Sequence, residues 1–103
     1  MTIAVLAINV LEGLPQQASV TVDFEKGSWE VTSDSKNILY RHTGSVSTIV
    51  PNLVGLTTAS GQQVLHLEGL NPKSLRRGDE GSGLLFNLSG LKFAIGWSIT
   101  RAE

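Results

Sequence analysis

Cysteine is absent from the chain. That excludes disulfides, Cys-ligated zinc, iron–sulfur clusters and thiol nucleophiles together. In so small a domain it also favours a reducing compartment, either the cytoplasm or a phage or viral particle assembled there. Charge is scarce: acidic and basic residues make up 17% of the chain, against about 25% in an average soluble domain. The net charge of −1 lacks the basic surplus of a nucleic-acid binder, so no nucleic-acid partner is expected. Long apolar runs are missing too. Ile3 to Val10 is apolar except for Asn9, but it is too short to span a bilayer and has no basic leader or cleavage site. Neither a signal peptide, a transmembrane segment nor a membrane partner is expected.

What remains is short and moderately apolar. The 103 residues predict one domain, 1–103, with a single core. A hydrophobic fraction of 41% argues against disorder. The dominant hydrophobic period is 2. Val20, Val22 and Phe24 share one face against Ser19, Thr21 and Asp23. After Glu25-Lys26-Gly27, the residues Trp29, Val31 and Ser33 alternate with Glu30, Thr32 and Asp34, which predicts a hairpin. The cluster from Ser33 to Asn37 ends it. A third run covers Ile38 to His42, closed by Thr43-Gly44, and a fourth covers Ser45 to Val50, closed by Pro51-Asn52.

The clearest strand is the last. Leu91, Phe93, Ile95, Trp97 and Ile99 line one face, and Lys92, Ala94, Gly96, Ser98 and Thr100 line the other. Ser89-Gly90 supplies a turn back to Leu84, Phe86 and Leu88. The first strand is apolar on both faces: Ile3, Val5, Ala7 and Leu11 on one, Ala4, Leu6, Ile8 and Val10 on the other. Such a strand is central and covered, or belongs to a subunit contact. Only Lys73 to Arg77, after Pro72, suggests a helical turn. Seven or eight mostly antiparallel strands therefore form a single small β-sandwich or compact barrel, and alternation alone does not separate the two. Leu11-Glu12-Gly13-Leu14-Pro15 is echoed by Leu67-Glu68-Gly69-Leu70-Asn71-Pro72, which two duplicated halves or chance would produce.

Candidate chemistry is thin. His42 and His66 share no metal-ligand spacing, and both read as surface or rim histidines, with His66 outward beside Glu68. No Gly-x-Ser-x-Gly nucleophile turn accompanies them, so no catalytic residue, metal or cofactor is expected. Leu67 to Asp79, ending in a Gly-Asp turn, resembles the strand–turn segment of cupin barrels. The cupin ligand set of two nearby histidines, a glutamate and a later histidine is not matched, since only His66 and Glu68 lie near and no histidine follows Gly83. Asn71 to Gly83 is the longest irregular stretch, and such loops often carry binding. Its Lys73, Arg76, Arg77 and Asp79 form either a contact loop for a carboxylate or phosphate, or a self-neutralising solvated loop. Arg77-Gly78-Asp79 matches an integrin-binding tripeptide and Asn87-Leu88-Ser89 a glycosylation acceptor; without a secretion signal neither carries weight. Trp29 and Trp97 fall on core faces, which leaves Tyr40 as the ambiguous aromatic.

The expectation is a non-enzymatic binding or assembly module, a homo-oligomer in the cytoplasm or a virion. It rests on the two-sided first strand and the small neutral face of the last. The alternatives are a lectin-like carbohydrate binder using Tyr40, Trp29 and loop amides, and a protein-directed inhibitor inserting the 71–83 loop.

Overall fold

The protein, described by a computed structural model, is covered over residues 3–11, 17–33, 41–86 and 89–103, with the backbone alone at Arg41. Among the described residues, eight antiparallel strands close into one barrel, each pairing with the next and the last with the first. They are β1 (Ile3–Val10), β2 (Gln17–Asp23), β3 (Ser28–Ser33), β4 (Arg41–Val50), β5 (Leu53–Thr58), β6 (Gln63–Glu68), β7 (Glu80–Phe86) and β8 (Lys92–Ala102). The barrel alternative is therefore the correct one. No helix of the described residues is long and apolar enough to cross a membrane.

Alternation builds the core. Ala4, Leu6 and Ile8 of β1, Val20 and Val22 of β2, and Ile95, Trp97 and Ile99 of β8 are all buried, and among the described residues no polar or charged residue is buried with them. The β2–β3 hairpin forms as its pattern predicts, with Asp23 opposite Ser28. Asp23 Oδ1 accepts from the backbone N–H of Glu25 and of Lys26, both at 3.0 Å, which fixes the turn locally. Pro51-Asn52 is a tight turn between β4 and β5; Asn52 has φ 65°, and proline followed by positive φ defines a type II turn.

Several expectations need correction. Thr43-Gly44 does not end a strand, because β4 runs unbroken from Arg41 to Val50. Gly44 is there for space: a Cβ at this position would lie 1.8 Å from Thr57 O and 2.9 Å from Trp29 Nε1. The β7–β8 register pairs Gly83 with Ile95 and Leu85 with Phe93, so Leu84 and Phe86, expected opposite the apolar side of the last strand, point outward with Ala94 and Lys92. The register of β5 and β6 shifts between Leu56 and Thr57, and this bulge lets Val64 and Leu65 be buried together. Residues 73–77 form no helix; turns and bends cover Pro72 to Ser74. Of the echoed segments, Leu67-Glu68-Gly69-Leu70 spans the end of β6 and the turn after it, while its counterpart beyond Leu11 lies outside the described residues.

Two tryptophans tie the wall together. The Trp29 indole, on β3, crosses Gly44 of β4 and donates to Ser45 O and Thr57 O, both at 2.9 Å. Trp97, on β8, crosses Gly81 of β7 and donates to Ser82 O at 2.9 Å and Glu68 O at 3.0 Å. Each indole thus joins three consecutive strands through one N–H. Replacing Trp29 by Phe removes two acceptor contacts and should cost about 2–3 kcal/mol in a denaturant titration. Gly44→Ala should cost about 3 kcal/mol or more, because a backbone oxygen occupies the Cβ position. Gly61→Ala, at φ +87° with open space around it, should cost about 1 kcal/mol.

Candidate interaction surface

Barrel closure defines two ends. The chain termini meet at one end, where Ile3 and Glu103 exchange backbone hydrogen bonds of 3.0 and 2.8 Å. The β6–β7 loop lies at this terminal end and carries four of the sequence-derived site residues, Lys73, Arg76, Arg77 and Asp79, all exposed. Tyr40, the fifth, lies outside the described residues. The tripeptide Arg77-Gly78-Asp79 falls in the same loop, and the glycosylation acceptor lies partly outside the described residues.

The loop is anchored. Leu70 is 1% exposed and plugs the terminal end, while Leu75 packs against the core. Asn71 Oδ1 accepts from the Lys73 N–H at 3.0 Å. Gly78 N–H donates to Ile99 O at 2.8 Å, and Ile99 N–H returns a bond to Asp79 O at 2.7 Å. Gly78, at φ 96°, permits the turn from Arg76 to Asp79. Removing the tip would therefore break β8 contacts, and only side-chain replacement isolates its charges. Among the described residues, Lys73, Arg76, Arg77 and Asp79 make no ion pair with one another.

The outer wall divides by chemistry. From β2 to β5 its outward positions are hydroxyl-rich: Ser19, Thr21, Thr32, Thr43, Ser45 and Thr57, with Glu30 among them. Around β1, β8 and β7 they are mostly small or apolar. Ala7 pairs with Ser98, and Asn9 with Gly96, which in turn faces Ser82. Leu84 stands between Ala94 and His66. Leu11 N–H donates to Ala94 O at 2.9 Å, and its side chain, 66% exposed, lies beside Gly96. The result is a face on β1, β8 and β7 without charge between Glu80 at the terminal end and Lys92 at the other, with the exposed Glu68 of β6 at its margin. An open groove of about 500 Å³ runs along it, lined by Asn9, Ser82, Gly96, Ser98, Glu80 and the edge of Trp97. Sequence reading found the two ingredients on β1 and β8. It missed Leu84 and Phe86, whose outward direction follows from a register that no local pattern sets.

The other expected features resolve plainly. Both tryptophans are core residues, 2% and 3% exposed, so neither offers a ring face for stacking on a sugar. His42 pairs with Val31 on the inward side and comes within 6.5 Å of the Trp29 ring centroid. It is thus a half-buried inward group. His66 points outward as expected but packs edge-on to Phe86, with centroids 4.9 Å apart. Among the described residues no group of three metal-ligand types is brought together. The interior void at the end opposite the termini is about 60 Å³ and lined by Ile8, Val10, Ala18, Val31, Leu65 and Leu85 with Gln17 and Ser33. That is far below the roughly 300 Å³ of an ordinary ligand pocket. No family model, curated protein or solved structure matches the chain.

Burial holds the His66 imidazole below its usual value of 6.5; Lys92 adds to this, and Glu68 opposes it. Above about pH 6.5 the ring is neutral in both folded and unfolded chains, and no penalty applies. Below it the unfolded chain takes the proton first, so stability falls until the folded ring also titrates. Acidification from neutral pH should therefore lower the denaturant midpoint, and His66→Gln should remove that part of the loss.

Proposed function

We propose that the protein is a non-enzymatic assembly module whose barrels associate with copies of themselves through the outward faces of β1, β8 and β7. The observation that carries this reading is the position of barrel closure. Pairing of β1 with β8 sets the apolar outward side of β1 against the small neutral side of β8, and Leu84 and Phe86 extend the same face.

A two-fold contact brings each patch against its own copy, so like charges would face each other at its centre. A neutral patch avoids that cost. Gly96, Ala94 and Ser98 let a second sheet approach closely, and Leu84 and Leu11 supply apolar anchors. Closure also favours a face over an edge. Every strand has a partner on both sides, so strand addition is confined to stretches that outrun a neighbour, such as the tip of the β4–β5 hairpin. A cytoplasmic interaction domain and a phage or viral structural protein both suit a cysteine-free, self-associating barrel. The anchored β6–β7 loop supports a second reading, in which Arg76 and Arg77 are presented on a fixed frame to a protein partner.

Light scattering across a concentration series tests the first reading, which expects a dimer or larger closed assembly. Ala94→Glu should abolish association while shifting the melting temperature little, since the position is outward and half-exposed. Arg76→Ala with Arg77→Ala should leave association intact. A monomer at all concentrations overturns the proposal.

A further inference from the structure

We infer that the His66 imidazole is a proton-operated latch in this face: gaining a charge, it opens the apolar wall and releases the second copy. The inference rests on the assembly reading above.

His66 stands in the outward row Gly55–His66–Leu84–Ala94. Its ring meets Phe86 at 4.9 Å and 70°, and Lys92 Nζ lies 6.0 Å from the centroid of the same Phe86 ring. His66 Nε2 has no exposed surface and, among the described residues, no hydrogen-bond partner. A second copy docked on the face therefore cannot reach Nε2 to supply an acceptor. The neutral ring tolerates this, because with its proton on Nδ1 only a lone pair goes unmatched. The cation does not. Both of its nitrogens carry a hydrogen, and a charged N–H buried without an acceptor is strongly disfavoured.

The protonated ring must therefore turn until Nε2–H meets water, and Phe86, packed against it, must move as well. Phe86 lies beside Leu84 and opposite Lys92, so its displacement disrupts the flat apolar wall and sets a second positive charge near the Lys92 ammonium. Among the described residues two charged groups act on the ring. Glu68 lies two residues along its own strand and Lys92 comes from β8; the neighbouring positions on β5 and β7 are Gly55, Leu84 and Phe86. Assembly is strongest at neutral pH and weakens in acid by about tenfold in Kd per pH unit for each coupled histidine.

The test is light scattering between about pH 8 and pH 5, with tryptophan emission followed in parallel because Trp29 and Trp97 report an intact core. Expected are loss of the assembled species in acid at unchanged emission, and its persistence in His66→Gln. Glu68→Gln should move the dissociation midpoint to lower pH, since the carboxylate favours the imidazolium. Lys92→Gln should move it to higher pH. These two surface variants decide the matter even where His66→Gln does not fold. An assembly indifferent to pH, or a midpoint that neither neighbour shifts, overturns the latch and leaves the assembly reading standing. A monomer throughout overturns both.

Discussion

A small eight-stranded barrel must fill its interior with side chains while keeping eight backbones close, and two indoles across two glycines meet both demands. Trp29 over Gly44 and Trp97 over Gly81 each place a large ring inside the wall. Each N–H then bonds two carbonyls on the neighbouring strand and the one beyond it. Bulk and hydrogen bonding are met by the same group, so no polar side chain needs to be buried. A residue with a Cβ at either glycine would push the indole away and leave those carbonyls exposed to an apolar interior.

That constraint determines what the outer surface becomes. With the interior given to apolar residues and the ends to turns, most charge among the described residues lies at the terminal end, in the β2–β3 turn, the β6–β7 loop and the C-terminal residues. Arg101 and Glu103 form an ion pair there. The wall between the ends is left to hydroxyls on one side and small apolar groups on the other. A barrel of this kind meets other molecules with its flank and its loops. His66 lies in the apolar flank, close enough to Lys92 and Glu68 for its charge state to respond to them.

Much of the wall was legible from alternation. The core sides of β2, β3 and β8 follow directly from period 2, as does the outward direction of His66. The misreadings have one cause. Gly44 reads as a turn residue in sequence because glycine has no other local meaning, yet it is set by Trp29 and by Thr57, 13 residues on. Leu84-Leu85 offers two equal apolar neighbours, and only the register against β8 selects Leu85 for the interior. Asn71 to Gly83 reads as one irregular stretch, either a contact loop or a self-neutralising solvated one, whereas its last four residues belong to β7 and Leu70 and the Gly78–Ile99 bond fasten the rest to the barrel.

By itself the sequence determined an all-β domain with one core, the composition of the strand faces, and a surface poor in charge, because side-chain alternation and residue counts are local properties. Tertiary structure alone decided closure into a barrel, the joining of the β1 and β8 faces, and the burial of His66 Nε2. Each of these depends on which strands become neighbours, and that is fixed by filling a closed interior, which no short stretch of chain can specify.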